Sequence, residues 1–180
     1  MISKKYIDQK ANDAATSPKN DTPMPTEEQK KSGAYKKGHL NLYGLSISIE
    51  NPKGSTRSGT DRNGKKWSIK LKNHYGYIKG NNIGKDGDPI DVFLGENPES
   101  DKVFMVNQLS LGKDKNVFDE HKALLGFDSL SSAVKGYLQN YESDWDKKGM
   151  IDSVVQTNIV DFKSWLNSGN LKKPFRGFLK

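Results

Sequence analysis

Hydrophobic and polar residues alternate along much of the chain from residue 39 onward, a pattern typical of β-strands with one buried face. The alternation between Leu40 and Ile49 is interrupted near Gly44, where we expect a turn or a β-bulge. The stretch Asp61–Gly64 is typical of a hairpin turn. The pattern predicts strands at 40–49 on either side of residue 44, then at 67–71, 75–78, 89–94, 103–106 and 123–127, which is the last strand predicted.

Two helices are predicted near the C-terminus. The first runs to Tyr141 with apolar residues at steps of three and four on one face, and Ser129 or Ser131 would cap its start. The second is predicted over Ile159–Asn167 and would be ended by Gly169. Strands first and helices last predict an α+β fold, specifically a small antiparallel OB-like β-barrel with the C-terminal helices packed outside.

The first part of the chain has a different composition. Residues 1–37 are rich in Lys, Asn, Asp, Thr and Pro and poor in large apolar side chains. Such a segment buries too little surface to offset the loss of chain entropy. We therefore expect a flexible N-terminal arm with one short helix near Thr26–Lys31, a folded domain over 38–171 and a basic C-terminal tail over 172–180.

The net charge of +7 lies in the two ends of the chain. Residues 38–171 hold 17 basic and 17 acidic residues, so the charge of the predicted domain does not favour nucleic acid as a partner. The absence of cysteine excludes disulfides, thiol nucleophiles and cysteine zinc sites. The sequence also has no apolar run long enough to span a bilayer and no secretory signal pattern. We expect a cytoplasmic protein with no membrane partner.

The most distinctive stretch is Asp86–Asp91, which has three acids in six residues. Gly87 can adopt a positive φ and Pro89 fixes its own φ, so the two predict a tight corner before a strand. Carboxylates held this close repel one another, and magnesium, manganese or calcium would relieve the repulsion. A solvated turn is the plain alternative. A calcium EF-hand is not supported, because positions five and twelve of that loop would be Ile90 and Asn97.

Side chains in a strand over 89–94 would alternate between two faces. The even-numbered residues Ile90, Val92 and Leu94 would enter an apolar core. Asp91 and Phe93 would then face the opposite side of the sheet. The acid that closes the distinctive stretch is therefore expected to project away from that core.

The stretches 73–78 and 86–92 together resemble the soluble family I inorganic pyrophosphatases. Their metal signature is Asp-x-Asp-Pro-x-Asp followed by an apolar residue, and a Tyr-Gly-[Phe/Tyr]-Ile strand precedes it at the same spacing. The wider segment 38–174 is similar to the pyrophosphatase-like domain of phage and mobile-element proteins, through Ile49–Gly59 and Phe118–Lys122.

The resemblance implies hydrolysis of inorganic pyrophosphate to two phosphates, with magnesium as the cofactor and manganese as its substitute. A related hydrolase of nucleotide polyphosphates and a non-catalytic phage binding module on the same fold are the alternatives. The resemblance also permits oligomers. A host cytoplasm is the expected compartment if the protein is phage-encoded.

The same resemblance implies an acidic, metal-binding side of the site. The middle acid of the motif takes a proton from a metal-bound water in the family, which implies this role for Asp88. Two family Asp residues five apart, followed by a Lys, match Asp114 and Asp119, but Lys122 follows by three residues rather than two, so Glu120 is the alternative. A charged surface loop is the plain interpretation of this group. The implied metal ligands are Glu50, Asp86, Asp88, Asp91, Asp114, Asp119 and Glu120.

A cationic, phosphate-binding side is implied as well. Glycines near Arg57 would let the backbone approach an anion, although a flexible loop is the plain alternative. Arg57 and Arg62 match the family by chemistry rather than by alignment. The Lys that follows the late Tyr141 in the family is Glu142 here, which removes one phosphate contact. The implied catalytic residues are Arg57, Tyr75, Asp88 and Lys122, and the implied substrate-binding residues are Lys53, Arg57, Arg62, Tyr75, Lys122 and Tyr141.

Overall fold

A computed structural model of the chain describes residues 1–61, 63–110 and 116–178. Strands form most of the regular structure, and helices lie at both ends and between the last two strands. The elements in chain order are α1 (Lys4–Ala11), α2 (Glu27–Ser32), β1 (Gly38–Leu42), β2 (Leu45–Asn51), β3 (Thr56–Thr60), β4 (Lys66–Lys70), β5 (His74–Ile78), β6 (Asp91–Leu94), β7 (Lys102–Leu109), β8 (Phe118–Leu125), α3 (Leu130–Leu138), β9 (Ile151–Asn158) and α4 (Ile159–Ser168).

Seven strands form one mixed sheet in the order β1-β2-β5-β6-β8-β7-β9, and β3 and β4 form a separate hairpin. The α+β class is confirmed. Strands β6 and β8 are parallel, which corrects the expectation of a purely antiparallel sheet. After β6 the chain skips one strand position and forms β7. It then turns back as β8, which is antiparallel to β7 and fills the position between β6 and β7. Within the described residues β1 and β9 remain the two sheet edges, so the sheet is not closed and the OB-like barrel is not confirmed.

The prediction that 123–127 is the last strand was wrong. Strand β9 follows α3 and pairs antiparallel with β7 at the sheet edge. Its sequence was not recognised because polar residues occupy five of its eight positions and its side chains are at most half-buried. An edge strand with one solvated side gives a weak hydrophobic signal.

Several local predictions are confirmed. The interruption near Gly44 is a two-residue hairpin turn in which Tyr43 and Gly44 have φ values of 57° and 76°, as the tight turns of twisted hairpins require. Helix α3 begins after Ser129, whose side chain accepts a hydrogen bond from the Ser132 amide. Helix α4 begins after the Asn158 cap and ends before Gly169.

The seven-stranded sheet separates two clusters of buried side chains. One face packs against α1 and α4 and is apolar, and the other packs against α3 and the β3–β4 hairpin and is rich in aromatic rings. The predicted alternation in β6 is confirmed. Ile90, Val92 and Leu94 lie in the cluster of the α1–α4 face, whereas Phe93 lies in the cluster of the α3 face.

Helix α1 packs on the sheet, which corrects the expectation of an unpacked arm. Ile7 and Ala11 are buried in the same cluster as Leu40 and Leu42 of β1. Composition did not reveal this contact, because only two of the eight helical residues are buried and the rest are mostly polar. The short helix expected near Thr26–Lys31 is confirmed as α2, with a capping box at Thr26.

Part of the predicted basic tail is also packed. The Phe175 side chain is only 1% exposed. Asn107 accepts a hydrogen bond from the Phe175 amide at 2.7 Å and donates to its carbonyl at 2.9 Å. Arg176 forms an ion pair with Asp152 at 2.7 Å. The domain boundaries at residues 37 and 171 stay predictions. None of the helices in the described part of the chain is long and apolar enough to cross a membrane.

Candidate active site

A buried cluster of charged and hydroxyl groups lies on the α3 face, where β5, β6 and β8 are neighbours. Asp91 and Lys122 are paired across the parallel β6–β8 ladder. The Lys122 ammonium donates to Asp91 Oδ2 at 2.5 Å, Glu120 Oε2 at 3.0 Å and the Tyr75 hydroxyl at 3.1 Å. The Tyr75 hydroxyl donates to Asp91 Oδ2 at 2.7 Å. We call Tyr75, Asp91, Glu120 and Lys122 the charge cluster.

The electrostatics of the charge cluster follow from its burial. Lys122 is 2% exposed. Burial disfavours the ammonium, but Asp91 and Glu120 outweigh this effect and hold the pKa of Lys122 well above its usual value. Burial raises the pKa of Glu120, with Lys122 opposing the rise and Asp91 adding to it. A buried ammonium of this kind is stable because all three of its protons have acceptors.

The structure also bears on the uncertain register of the acids near residue 120. Glu120 lies two positions before Lys122 on β8, so the two side chains share a face. Asp119 instead falls at an irregular step, where Gln108 pairs with Glu120 but Leu109 pairs with Phe118. Of the two candidates, Glu120 is the one that is hydrogen-bonded within the charge cluster. Asp114 lies outside the described residues.

A chain of hydrogen bonds behind Glu120 escaped the sequence analysis. The Gln108 amide donates to Glu120 Oε1 at 3.0 Å and accepts from the Tyr137 hydroxyl at 2.6 Å. The Trp145 indole donates to the same hydroxyl at 2.8 Å. Because each link has a fixed donor and acceptor, the chain sets the orientation of the Glu120 carboxylate. Only the tertiary structure brings these residues of β7, α3 and the following turn together.

Glu50 approaches the charge cluster from β2. Ile49 pairs with Gly76 and Asn51 pairs with Tyr75, so Glu50 is the extra residue of a β-bulge. Such bulges redirect a side chain and occur near active sites. Burial, followed by the charge of Asp91, raises the pKa of Glu50.

Gly76 of the Tyr-Gly motif allows β2 and β5 to lie close together at this point. A Cβ atom on residue 76 would lie 1.9 Å from the Ser48 carbonyl oxygen, a distance that no side chain tolerates. The glycine is thus required by the approach of two strands. It keeps Tyr75 and the Glu50 bulge next to each other.

Lys37 is a second residue that the sequence analysis did not place at the site. Gly38 pairs with Ile49, so the next step of the ladder sets Lys37 beside Glu50. The Lys37 ammonium donates to the carbonyls of Gly33 at 2.5 Å and Tyr35 at 3.2 Å. Its charge lowers the pKa of Glu50, in opposition to burial. The polar composition of residues 1–37 had assigned it to the flexible arm.

The acid-rich turn before β6 contains the other two acids of the motif. Gly87 has a φ of 90°, as the predicted corner requires. The Asp88 amide donates to Asp86 Oδ1 at 3.1 Å, and both side chains are exposed. Partial burial, followed by the charges of Asp88 and Asp91, raises the pKa of Asp86. Within residues 1–61, 63–110 and 116–178, no three acidic or histidine side chains are already close enough to hold a metal ion.

Arg57 and Tyr141 border the charge cluster. Arg57 Nη2 donates to the Tyr75 hydroxyl at 3.4 Å, and its guanidinium carbon lies 4.4 Å from the Tyr75 ring centroid. The Tyr141 hydroxyl is buried and has no hydrogen-bond partner within the described residues. Burial, the largest influence, raises the pKa of Tyr141, while the charges of Lys122 and Arg57 lower it.

Of the remaining phosphate-binding candidates, Lys53 is not gathered with these groups. Lys53 forms an ion pair with Glu96 at 2.7 Å, and its amide donates to His74 on the other face of the sheet. Arg62 lies outside the described residues. The described candidate site therefore has one largely buried part, the hydrogen-bonded charge cluster, and one exposed acidic turn, with Arg57 beside the charge cluster. Carboxylates facing cations can hold divalent ions on one side and phosphate on the other.

Comparison with models of protein families gives a match over most of the chain. Residues 27–167 match the family model described as Inorganic Pyrophosphatase. No curated protein and no solved structure matches the chain. The matched span includes β1 to β9 and leaves α1 outside it.

Proposed function

This chain belongs to the inorganic pyrophosphatase family, and from this premise we propose that it hydrolyses inorganic pyrophosphate to two phosphates in a magnesium-dependent reaction. The observation that carries the proposal is the charge cluster, in which Lys122 is held by Asp91, Glu120 and Tyr75 next to Arg57. Phosphoryl transfer depends mainly on positioned charges of both signs, and this part of the sheet supplies them.

The donor set fits a hard divalent cation. The candidate ligands carry only carboxylate oxygens, which magnesium and manganese prefer. Burial raises the pKa of Glu50, Asp86 and Glu120, and neighbouring negative charge adds to the rise. Bound cations would relieve that repulsion. We propose that Asp86, Asp88 and Asp91 hold the ions with help from Glu50 and Glu120. When bound, magnesium would neutralise phosphate charge and lower the pKa of the attacking water.

The chain's own residues have separate tasks in the proposed reaction. Asp88, exposed on the turn, accepts a proton from the attacking water as the water oxygen forms a bond to one phosphorus. The bond from that phosphorus to the bridging oxygen breaks, and the electron pair leaves with the second phosphate. Arg57 and Lys122 stabilise the charge that develops on the phosphate oxygens. Tyr75 holds the Asp91 carboxylate and the Lys122 ammonium in position through the hydrogen bonds of its hydroxyl.

Phosphate release from pyrophosphate tests the proposal. The wild-type chain with magnesium should release phosphate, and Asp88→Asn should lose about 10²- to 10⁴-fold in kcat, the usual contribution of a general base. Asp21→Asn changes an exposed acid of the N-terminal segment in the same way and should leave activity unchanged. An Asp88→Asn enzyme with wild-type turnover would contradict the assigned role, and a wild-type chain without turnover would contradict the function.

One observation favours a second candidate function. Glu142, which replaces the family's cation, forms an ion pair with Lys148. The changed region at Tyr141 and Glu142 would then admit a larger phosphoanhydride, such as a nucleotide polyphosphate. Assays with triphosphate and nucleoside triphosphates beside pyrophosphate distinguish the two substrates. Binding without turnover on all of them would instead indicate a non-catalytic module.

Other proposals rest on the sequence resemblance alone. They are a relationship to phage and mobile-element proteins, a cytoplasmic location and the use of manganese in place of magnesium. Oligomerisation is compatible with the family.

A further inference from the structure

We propose that Trp67 is a positioning residue that holds the Arg57 guanidinium against Tyr75 and so presents it to phosphate. The inference rests on the proposed function, because it assigns a specific device to the phosphate-binding side. Trp67 lies in β4 of the separate hairpin. Nothing in the motif spacing had pointed to it.

The register of the hairpin brings the two side chains together. Gly59 pairs with Trp67 and Arg57 pairs with Ile69, so all four positions lie on one face of the hairpin. The Trp67 ring lies over Gly59, where a Cβ atom would be 2.6 Å from ring carbon Cζ2. The ring extends across Gly59 toward Arg57, which is the diagonal cross-strand neighbour of Trp67 on this face. The Arg57 guanidinium carbon is 5.5 Å from the Trp67 ring centroid.

Arg57 therefore lies between two aromatic rings. Its distance to the Tyr75 ring centroid is 4.4 Å, and its side-chain hydrogen bond to the Tyr75 hydroxyl is long at 3.4 Å. Aromatic contacts of this kind attract a guanidinium while leaving the N–H groups at its edge available for phosphate oxygens. The position of the charge is thus set by the rings, and its donors are kept for an anion.

The hairpin needs such a contact because it is a weak element by itself. A two-stranded sheet is marginally stable in water. Every residue of β3 and β4 is exposed or half-buried. The hairpin reaches the buried cluster of the α3 face through Ile69 and the following Leu71. The Trp67–Arg57–Tyr75 stack adds a second attachment, and it couples the hairpin to the charge cluster.

Steady-state kinetics of Trp67 variants test the role. Trp67→Leu should lower kcat/KM for pyrophosphate about 3- to 30-fold, the range expected for one lost cation–π contact. Trp67→Phe, which restores an aromatic face, should recover most of the loss. Gly59→Ala should give an intermediate loss, because the new methyl group displaces the Trp67 ring. Ser58→Ala, on the exposed side of the same strand, is the matched control and should behave as wild type.

Two readouts distinguish positioning from a general structural effect. In an Arg57→Met background, Trp67→Leu should cause no further loss of kcat/KM, since both changes remove the same interaction. The Arg57 Nε–H resonance should lose the part of its ring-current shift that comes from Trp67 in Trp67→Leu, whether or not the chain turns over. Additive kinetic losses, or an Arg57 resonance that does not move, would overturn the inference. If Trp67→Leu does not fold, Gly59→Ala and Trp67→Phe test the positioning role instead, through the same additivity with Arg57→Met and the same Arg57 resonance.

The outcomes also separate this inference from the proposed function. If the wild type fails to hydrolyse pyrophosphate, the proposed function fails and the resonance alone reports on the stack. If the wild type is active and every Trp67 and Gly59 variant has unchanged kinetics, the function stands and the positioning role is wrong.

Discussion

Strands β5, β6 and β8 carry different chemistry on their two faces. On the α3 face these strands carry the charge cluster, whereas neighbours one residue away, such as His74 and Val92, lie on the α1–α4 face. The α1–α4 face is packed mainly with aliphatic and aromatic side chains. The α3 face buries charges that are stable only because they are paired.

This difference shows how a small domain can keep ionised groups inside. The apolar face supplies the favourable burial that offsets chain entropy. The opposite face of the same strands can then hold groups whose net contribution to stability is small, provided that none loses its partner. Removing a partner on the α3 face should therefore be costly, whereas titrating a group at the rim of the α1–α4 face should be mild.

The largest effect is expected for Lys122→Met. The variant leaves the half-buried Asp91 and Glu120 without their buried cation, and the loss of such a partner costs up to about 3–5 kcal/mol of unfolding free energy. Urea denaturation measures it, and pyrophosphatase activity should disappear as well. Lys66→Met, an exposed change in the hairpin, serves as the control and should stay within about 0.5 kcal/mol of wild type. Equal stability of the two variants would show that the charge cluster is not held as the structure indicates.

A smaller effect is expected for the hydrogen-bond chain behind Glu120. Gln108→Leu removes a donor to Glu120 and an acceptor from Tyr137, at a cost of about 1–3 kcal/mol. Combined with Tyr137→Phe, the loss should be less than the sum of the single losses, because both changes remove the same link. A double-mutant cycle from denaturation curves measures this coupling. Strict additivity would mean that the chain does not act as a unit.

The smallest effect concerns pH and the α1–α4 face. Burial lowers the pKa of His74 below its usual value of about 6.5, while the hydrogen bond and charge of Asp8 oppose the shift, with Lys53 lowering it further and Glu96 raising it. As the pH falls, His74 therefore becomes protonated at a higher pH in the unfolded state than in the folded state. Stability from this group is complete above about pH 6.5 and is lost as the pH falls through the lowered folded value.

Denaturation at several pH values tests this dependence. His74→Gln should have a flatter stability profile below about pH 6.5 than wild type, by less than about 1.4 kcal/mol per pH unit. His39→Gln, a change at an exposed histidine of β1, should keep the wild-type slope. An unchanged slope in His74→Gln would show that His74 does not couple folding to pH.

Much of the fold could be predicted where one periodicity dominated. The alternation of Ile90, Val92 and Leu94 with Asp91 located both faces of β6, and the apolar spacing before Gly169 located α4. The sheet order could not be predicted, because the parallel pairing of β6 with β8 depends on contacts between distant segments. Helix α1 was missed for a similar reason, since its few buried residues give no clear stripe.

The site shows the same division. The motif identified Tyr75, Asp91 and Lys122, which the structure brings together. Lys37 and Gln108 reach the site through strand pairing alone, and no local pattern marks them. Spacing alone left Asp119 and Glu120 unresolved.

Helix α1 affects where this chain can be truncated without loss of structure. It precedes the span that the family model matches, yet Thr16, just after it, donates to the Glu50 carbonyl at 2.5 Å. The backbone of α1 also lies so close to β1 that a methyl group on Gly38 would be 2.3 Å from the Lys10 carbonyl oxygen. A fragment trimmed to the matched residues would expose the apolar side chains of the β1–β2 hairpin that α1 covers. It would also loosen the end of β2 that carries Glu50.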